Sequence, residues 1–328
     1  MSKLDARETP SPRRSSSLAS LQQVLLLVAL VFAMSWLLYW WPRSPTVGVV
    51  GAALPLGGYT LVLALEGVMS AWVNRGDDAP PLSWAGVVRA WWQEVCVAPK
   101  VFAWRQPFRW ARLPDDAEPA PGGAPHAVVF VHGFVCNRGF WLPWMQRLRA
   151  QGIPYTSVNL EPVFGDIDDY MPLMSDAVRR AHALTGQPPL LVCHSMGGLV
   201  ARAWAAMEPE VPVLGMVTIG SPHRGTWLGR FSHVANGRQM RLGGDWLGAL
   251  FAREAQIKPA QTYEHVVCWY SNGDSIVFPA STATLPGADN RHVPGMPHVA
   301  LAFHPRVMDE SLAILASAGN SPSERTAA

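Results

Sequence analysis

The chain predicts an α/β fold, a doubly wound and mostly parallel sheet, preceded by an N-terminal helical membrane hairpin. Three observations carry that reading. From His126 onward, continuous apolar and β-branched runs alternate with amphipathic stretches, as expected of strands covered by helices on both faces. Nearer the N-terminus, residues 21–41 and 47–65 carry no charge, and each has the length needed to cross a hydrocarbon core, about 20 apolar residues. Between these features and the C-terminus lies Cys193-His194-Ser195-Met196-Gly197-Gly198, a sharp turn between an apolar strand and an apolar helix start.

Composition bounds the alternatives. With 328 residues, 49% hydrophobic and 15% charged, the chain has enough apolar sequence for one large core and a surplus that collects near the N-terminus. A net charge of +2 gives no nucleic-acid signal, and Arg105, Arg109 and Arg112 among Trp104, Phe108 and Trp110 suit a membrane surface. Cys96, Cys136, Cys193 and Cys268 lack paired spacing and read as thiols. The ten histidines have no paired helical spacing, so neither a catalytic metal nor a cofactor is expected.

Taken in order, residues 1–20 are rich in Ser, Pro and Arg and are expected to be disordered. Residues 21–73 form the expected two-span hairpin, its connector being Pro42-Arg43-Ser44-Pro45. Lys3, Arg7, Arg13 and Arg14 before the first span, and Arg75 and Arg89 after the second, outweigh Arg43 and favour both long ends in the cytoplasm. A single anchor with an exported domain is the alternative, because glycines and Pro55 interrupt the second segment. Residues 74–125 are a Trp-rich segment, interfacial or packed on the domain, ending in a linker at 114–125. The globular domain covers 126–316, with strands at 127–131, 155–160, 190–193, 213–219 and 265–270 and helices at 139–150, 170–184 and 196–207. Residues 317–328 read as a disordered tail, and a domain starting after residue 73 is expected to stand alone.

A serine hydroxyl is a weak nucleophile at neutral pH and needs an imidazole base, itself oriented by a carboxylate. Ser195 sits at the turn where strand meets helix. Asp274, in Ser271-Asn272-Gly273-Asp274, follows a buried strand, and His298, in Gly295-Met296-Pro297-His298, leads into the last helical stretch. His292 and His304 are the rival bases. His223 is expected to line the pocket, and Trp227, Phe231 and Trp246 belong to an insertion at about 226–262 that reads equally as a lid or as a fixed cap.

These residues together resemble bacterial serine esterases and triacylglycerol lipases of the α/β-hydrolase superfamily. The blocks are Val-Phe-Val-His-Gly-Phe at 129–134, Cys-His-Ser-Met-Gly-Gly at 193–198, Thr-Ile-Gly-Ser-Pro-His-Arg-Gly-Thr at 218–226 and Gly-Met-Pro-His at 295–298. The order Ser195, Asp274, His298 is that of the superfamily. The resemblance covers about 126–310 and implies ester hydrolysis through an acyl-enzyme, with the Phe134 and Met196 amides as oxyanion donors. It departs at Cys193, which stands where the motif has glycine. A membrane-anchored esterase acting on ester or lipid substrates, in a bacterial inner membrane with its domain in the cytoplasm, is the expected function. An acyltransferase or thioesterase using the same three residues, or a scaffold without activity, are the alternatives.

Overall fold

The computed structural model describes residues 15–115, 126–208, 210–257 and 263–318. Four helices lead in: α1 (Ser17–Trp40), α2 (Pro45–Gly57), α3 (Tyr59–Val73) and α4 (Trp84–Ala98), the last running through a π-helical stretch, Pro99–Arg105, into α5 (Gln106–Arg109). The sheet domain then follows as β1 (Val128–Val131), α6 (Leu142–Ala150), β2 (Tyr155–Ser157), α7 (Met171–Thr185), β3 (Leu190–His194), α8 (Met196–Met207) and β4 (Gly215–Ile219). It closes with α9 (Ala235–Gln239), α10 (Asp245–Ile257), β5 (Val266–Tyr270), β6 (Asp289–His292), α11 (His298–Leu301) and α12 (Pro305–Ala318).

The six strands lie in the order β2-β1-β3-β4-β5-β6, every neighbouring pair parallel. Alternation along each strand feeds two cores. Val129, Val131, Leu191 and Cys193 face α7, α8 and α10, while Val128, Phe130, Leu190 and Val192 face α6 and α12. Both faces are therefore covered, which explains why the strands read as unbroken apolar runs. The edge strand β6 went unforeseen because Asp289-Asn290-Arg291-His292 is polar and half exposed.

The N-terminal helices provide one span, or two if the bent pair α2–α3 counts as a single broken span. Among the described residues only α1, of 24 residues and mean hydropathy 2.2, is long and apolar enough alone to cross a membrane. The second arm is broken, with α2 and α3 meeting at a 57° bend. Pro55, inside α2, has no N–H to continue the ladder and ends it within a turn. The boundary at residue 20 also moves: Ser17–Ser20 are the first turn of α1, capped by the Ser16 hydroxyl, with Leu18 and Ala19 buried against the domain. Residues 1–14 lie outside the described ones.

Two further boundaries are corrected. Pro114 and Asp115 are not linker, because the buried Asp115 carboxylate binds Arg138 at 2.6 Å and the Ser157 amide at 3.0 Å; residues 116–125 are not described. Residues 317 and 318 complete α12, and the tail beyond lies outside the described residues. The Trp-rich helix α4 buries Ala90, Glu94 and Val95 and exposes Trp84, Val88 and Trp92 on its opposite face.

Candidate active site

Ser195 stands at the carboxyl end of β3 with φ +54° and ψ −128°, a strained conformation for any residue with a side chain. Hydrogen bonds hold it there. Its N–H donates to Ile219 O at 2.9 Å, and its carbonyl accepts from Gly198 N at 3.1 Å as α8 begins. The helix starts so close to β1 that a Cβ on Gly197 would lie 2.4 Å from Val131 O, so only glycine fits. Cys193 fits the motif's first position because its thiol turns into the core beneath α8, where it is fully buried. The elbow is therefore formed despite that departure.

Asp274 lies in the loop after β5. Its Oδ1 accepts from Ile276 N and Val277 N, each at 2.8 Å, which leaves Oδ2 aimed at His298 Nδ1 at 2.7 Å. Nδ1 is therefore the donor, and Nε2 is left without its proton to serve as a base. His298 opens α11 and is 5% exposed. Burial opposes its charge, but the Asp274 charge and hydrogen bond, joined by the Glu94 and Glu66 carboxylates, outweigh that and hold the imidazole above the ordinary histidine value. Beneath the pair, Gly220 has φ +56°, and a Cβ there would lie 3.1 Å from Asp274 Oδ2 and 3.2 Å from His298 Nδ1.

The histidine loop is tied to the elbow through the residue before Ser195. His194 Nε2 donates to His298 O at 3.2 Å, and the two rings lie 4.6 Å apart between centroids. Burial, then the neighbouring His298, keeps His194 well below the ordinary value, so it stays neutral. His132 is neutral too, pushed down to about 4 by burial; its Nδ1 bonds Gly133 O at 2.9 Å while Nε2 accepts from Leu160 N at 3.0 Å. That arrangement stiffens the loop carrying Phe134, whose ring packs edge-on against Phe164. Gly133 lies directly against the elbow, its missing Cβ position 2.8 Å from Ser195 Cβ. Phe134 follows Gly133 in that loop, and Met196, directly after Ser195, is the first residue of α8.

Other expected site residues are placed differently. The rival base His292 lies on β6 and stacks on Tyr270. His223 is fully buried, within 2.9 Å of Thr218 Oγ1, and its carbonyl accepts from Arg202. Trp227 stacks on Phe278 under the Arg230 guanidinium, and Phe231 is 59% exposed beside it. Trp246 is held by Asp168 Oδ2 at 2.9 Å. Within the insertion, α10 is fastened by the buried Arg202–Glu254 pair and by Leu247 and Leu250. The short α9 is fastened too, Gln239 bridging Asp166 and the Ile167 amide. Residues 258–262 are not described.

The sequence offered no hint of what the N-terminal helices contribute. Ser70 Oγ donates to Asp274 O at 2.7 Å, Asn74 Oδ1 accepts from Ala280 N at 2.9 Å, and Asn272 Nδ2 donates to Pro80 O at 2.7 Å. Glu94 accepts from Val299 N at 2.8 Å and Ala300 N at 3.2 Å. Their spacing within α3 and α4 matches ordinary helix polarity, and only the partner loops give it meaning.

Residues 128–325 match the model of a family described as the alpha/beta hydrolase family. No curated protein matches the chain in sequence. Among solved structures, the mature form of Bacillus licheniformis lipase BlEst2 is similar at 16% identity and a TM-score of 0.53, over 62% of this chain and 96% of that one. Aspergillus fumigatus lipase B is similar at 15% identity and a TM-score of 0.48, over 89% of this chain and 80% of that one. The likeness to the Bacillus protein is one of fold.

Proposed function

The chain belongs to the alpha/beta hydrolase family, and from that premise we propose that it is a membrane-anchored serine hydrolase that cleaves carboxylic esters through an acyl-enzyme. The observation that carries this reading is a serine held at φ +54° on a strand-to-helix elbow whose preceding residue, His194, is bonded to the backbone of His298, the histidine whose Nδ1 is bound to Asp274 at 2.7 Å.

In this reading Ser195 Oγ attacks the ester carbonyl carbon while His298 Nε2 takes its proton. The Phe134 and Met196 amides receive the negative oxygen of the tetrahedral intermediate, and each such donor is worth about 3 kcal/mol of barrier. His298 then returns the proton to the departing alcohol, leaving the acyl group on Ser195. Water, deprotonated by the same Nε2, releases the acid. Asp274 keeps the imidazole in the Nδ1–H tautomer throughout and stabilises its charged form.

The lipase name of the similar Bacillus structure favours apolar esters as substrates. Anchoring draws support from α1, uncharged over its length and exposing Leu25, Leu27, Leu30 and Phe32. The cation pattern favours a hairpin with the sheet domain on the cytoplasmic side. A fluorophosphonate probe and a panel of oxygen esters, thioesters and alternative acyl acceptors test the chemistry. Ser195→Ala is expected to abolish labelling and to lower kcat by about 10⁴-fold or more. Labelling that persists in that variant removes Ser195 from the reaction.

A further inference from the structure

We infer that Glu94 is a positioning residue for His298, gripping the backbone turn that carries the imidazole from a helix outside the sheet domain. The inference rests on the reading of His298 as the general base, and it adds a residue that none of the hydrolase motifs contains.

Glu94 is 3% exposed on α4, and its two oxygens are divided between two successive amides, Oε1 to Val299 and Oε2 to Ala300. These are the amides directly after His298, at the start of α11, where N–H groups lack partners within the helix. The grip therefore fixes the direction in which the His298 side chain leaves the backbone, while Asp274 fixes the rotation of the ring. One carboxylate sets the turn and the other sets the tautomer.

A purely structural cap does not require this choice of residue. Burying a carboxylate is costly unless a cation or several hydrogen bonds compensate it, and among the described residues no lysine or arginine pairs with Glu94. Its surroundings hold titratable groups on several elements: His298 on α11, Asp274 on the loop after β5, Glu66 on α3 and, beyond the imidazole, His194 on β3. Burial pushes Glu94 up to about 7, against the Val299 amide, the His298 charge and the Ala300 amide, with Asp274 adding to the rise. In its charged form it acts in turn on His298, raising it. A neutral glutamine of equal size could accept from only one of the two amides, whereas the carboxylate accepts from both and adds a negative charge beside the imidazole.

The test uses the full chain in detergent with p-nitrophenyl butyrate as a soluble ester. Glu94→Gln keeps the size but presents an NH₂ group to one of the two amides, and Glu94→Ala removes the grip. The expected result is a fall in kcat of about 10-fold for Gln and about 100-fold for Ala, the scale of a small displacement of a reacting group, with KM within about twofold. The acid limb of the kcat/KM profile should also move to lower pH. A base must be neutral to work, and without the neighbouring negative charge His298 stays neutral further down the scale. Melting curves report folding, and if the Ala variant does not fold the Gln variant decides. Folded variants with wild-type kcat and an unmoved acid limb overturn the inference, as does a fall in kcat with no movement of the limb. Wild-type protein that neither cleaves the ester nor takes a fluorophosphonate on Ser195 overturns the proposed hydrolysis itself, a result distinct from an active wild type indifferent to Glu94.

Discussion

The two apolar segments near the N-terminus look alike in hydropathy, yet they meet the sheet domain in opposite ways. Helix α1 is one unbroken helix and touches the sheet domain and α5 at its start, where Ser17 N donates to Glu161, Gln22 reaches Gln106 and Gln23 reaches Pro107 O. Most of its remaining side chains are exposed. The second segment is bent, and α3 runs on from the bend to place Ser70 and Asn74 against the loops of Asp274 and Ala280. Apolar character measures what a helix can tolerate on its outside. It does not say which polar residues, at which turn, face a partner.

Within this comparison the largest expected effect comes from cutting before or after α3. A chain starting at Tyr59 should retain cleavage of short soluble esters within about threefold, whereas one starting at Arg75 should lose about 100-fold or more, because the acid loop loses its support. Equal activity of the two truncations, measured in detergent with p-nitrophenyl butyrate, would erase the distinction. This revises the expectation that a domain starting after residue 73 stands alone.

A smaller effect follows from Asn74→Ala. The Ala280 amide would be left buried without its acceptor, and the Asn74 Nδ2 bond to Ser70 Oγ would vanish with it. An unpaired buried amide costs about 1–3 kcal/mol, so Tm should fall and kcat should drop with it. The smallest effect belongs to Trp36→Phe, which removes the Nε1 bond to Val47 O between α1 and α2. That exposed bond is worth about 1 kcal/mol or less, and ester cleavage should change less than about twofold. A larger loss in Trp36→Phe than in Asn74→Ala would reverse the comparison.

What could be read in the sequence follows the range of the interactions involved. Strands β1, β3, β4 and β5 were legible because burial on both faces forces continuous apolar runs. The elbow was legible because close approach of α8 to β1 demands small residues in sequence neighbours. Chain order and loop position sufficed to select Asp274 and His298, which the structure brings to 2.7 Å. The polar strand β6 was hidden because an exposed edge leaves no apolar imprint. Glu94 was hidden for a different reason: its partners lie 205 and 206 residues away, and no local period reports a carboxylate turned toward a distant amide. The Arg202–Glu254 pair that fastens α10 is equally silent, since arginine and glutamate are ordinary surface residues of a helix.

Gly220 has no side chain and takes part in no proton transfer, yet it forms the floor under the acid and the base. Because its backbone φ is +56° and the space above it belongs to Asp274 and His298, any replacement would act as a wedge driven between them. A position near this site that resists substitution is therefore chemically mute. Its contribution is the absence of atoms, and a survey of reactive groups alone would pass over it.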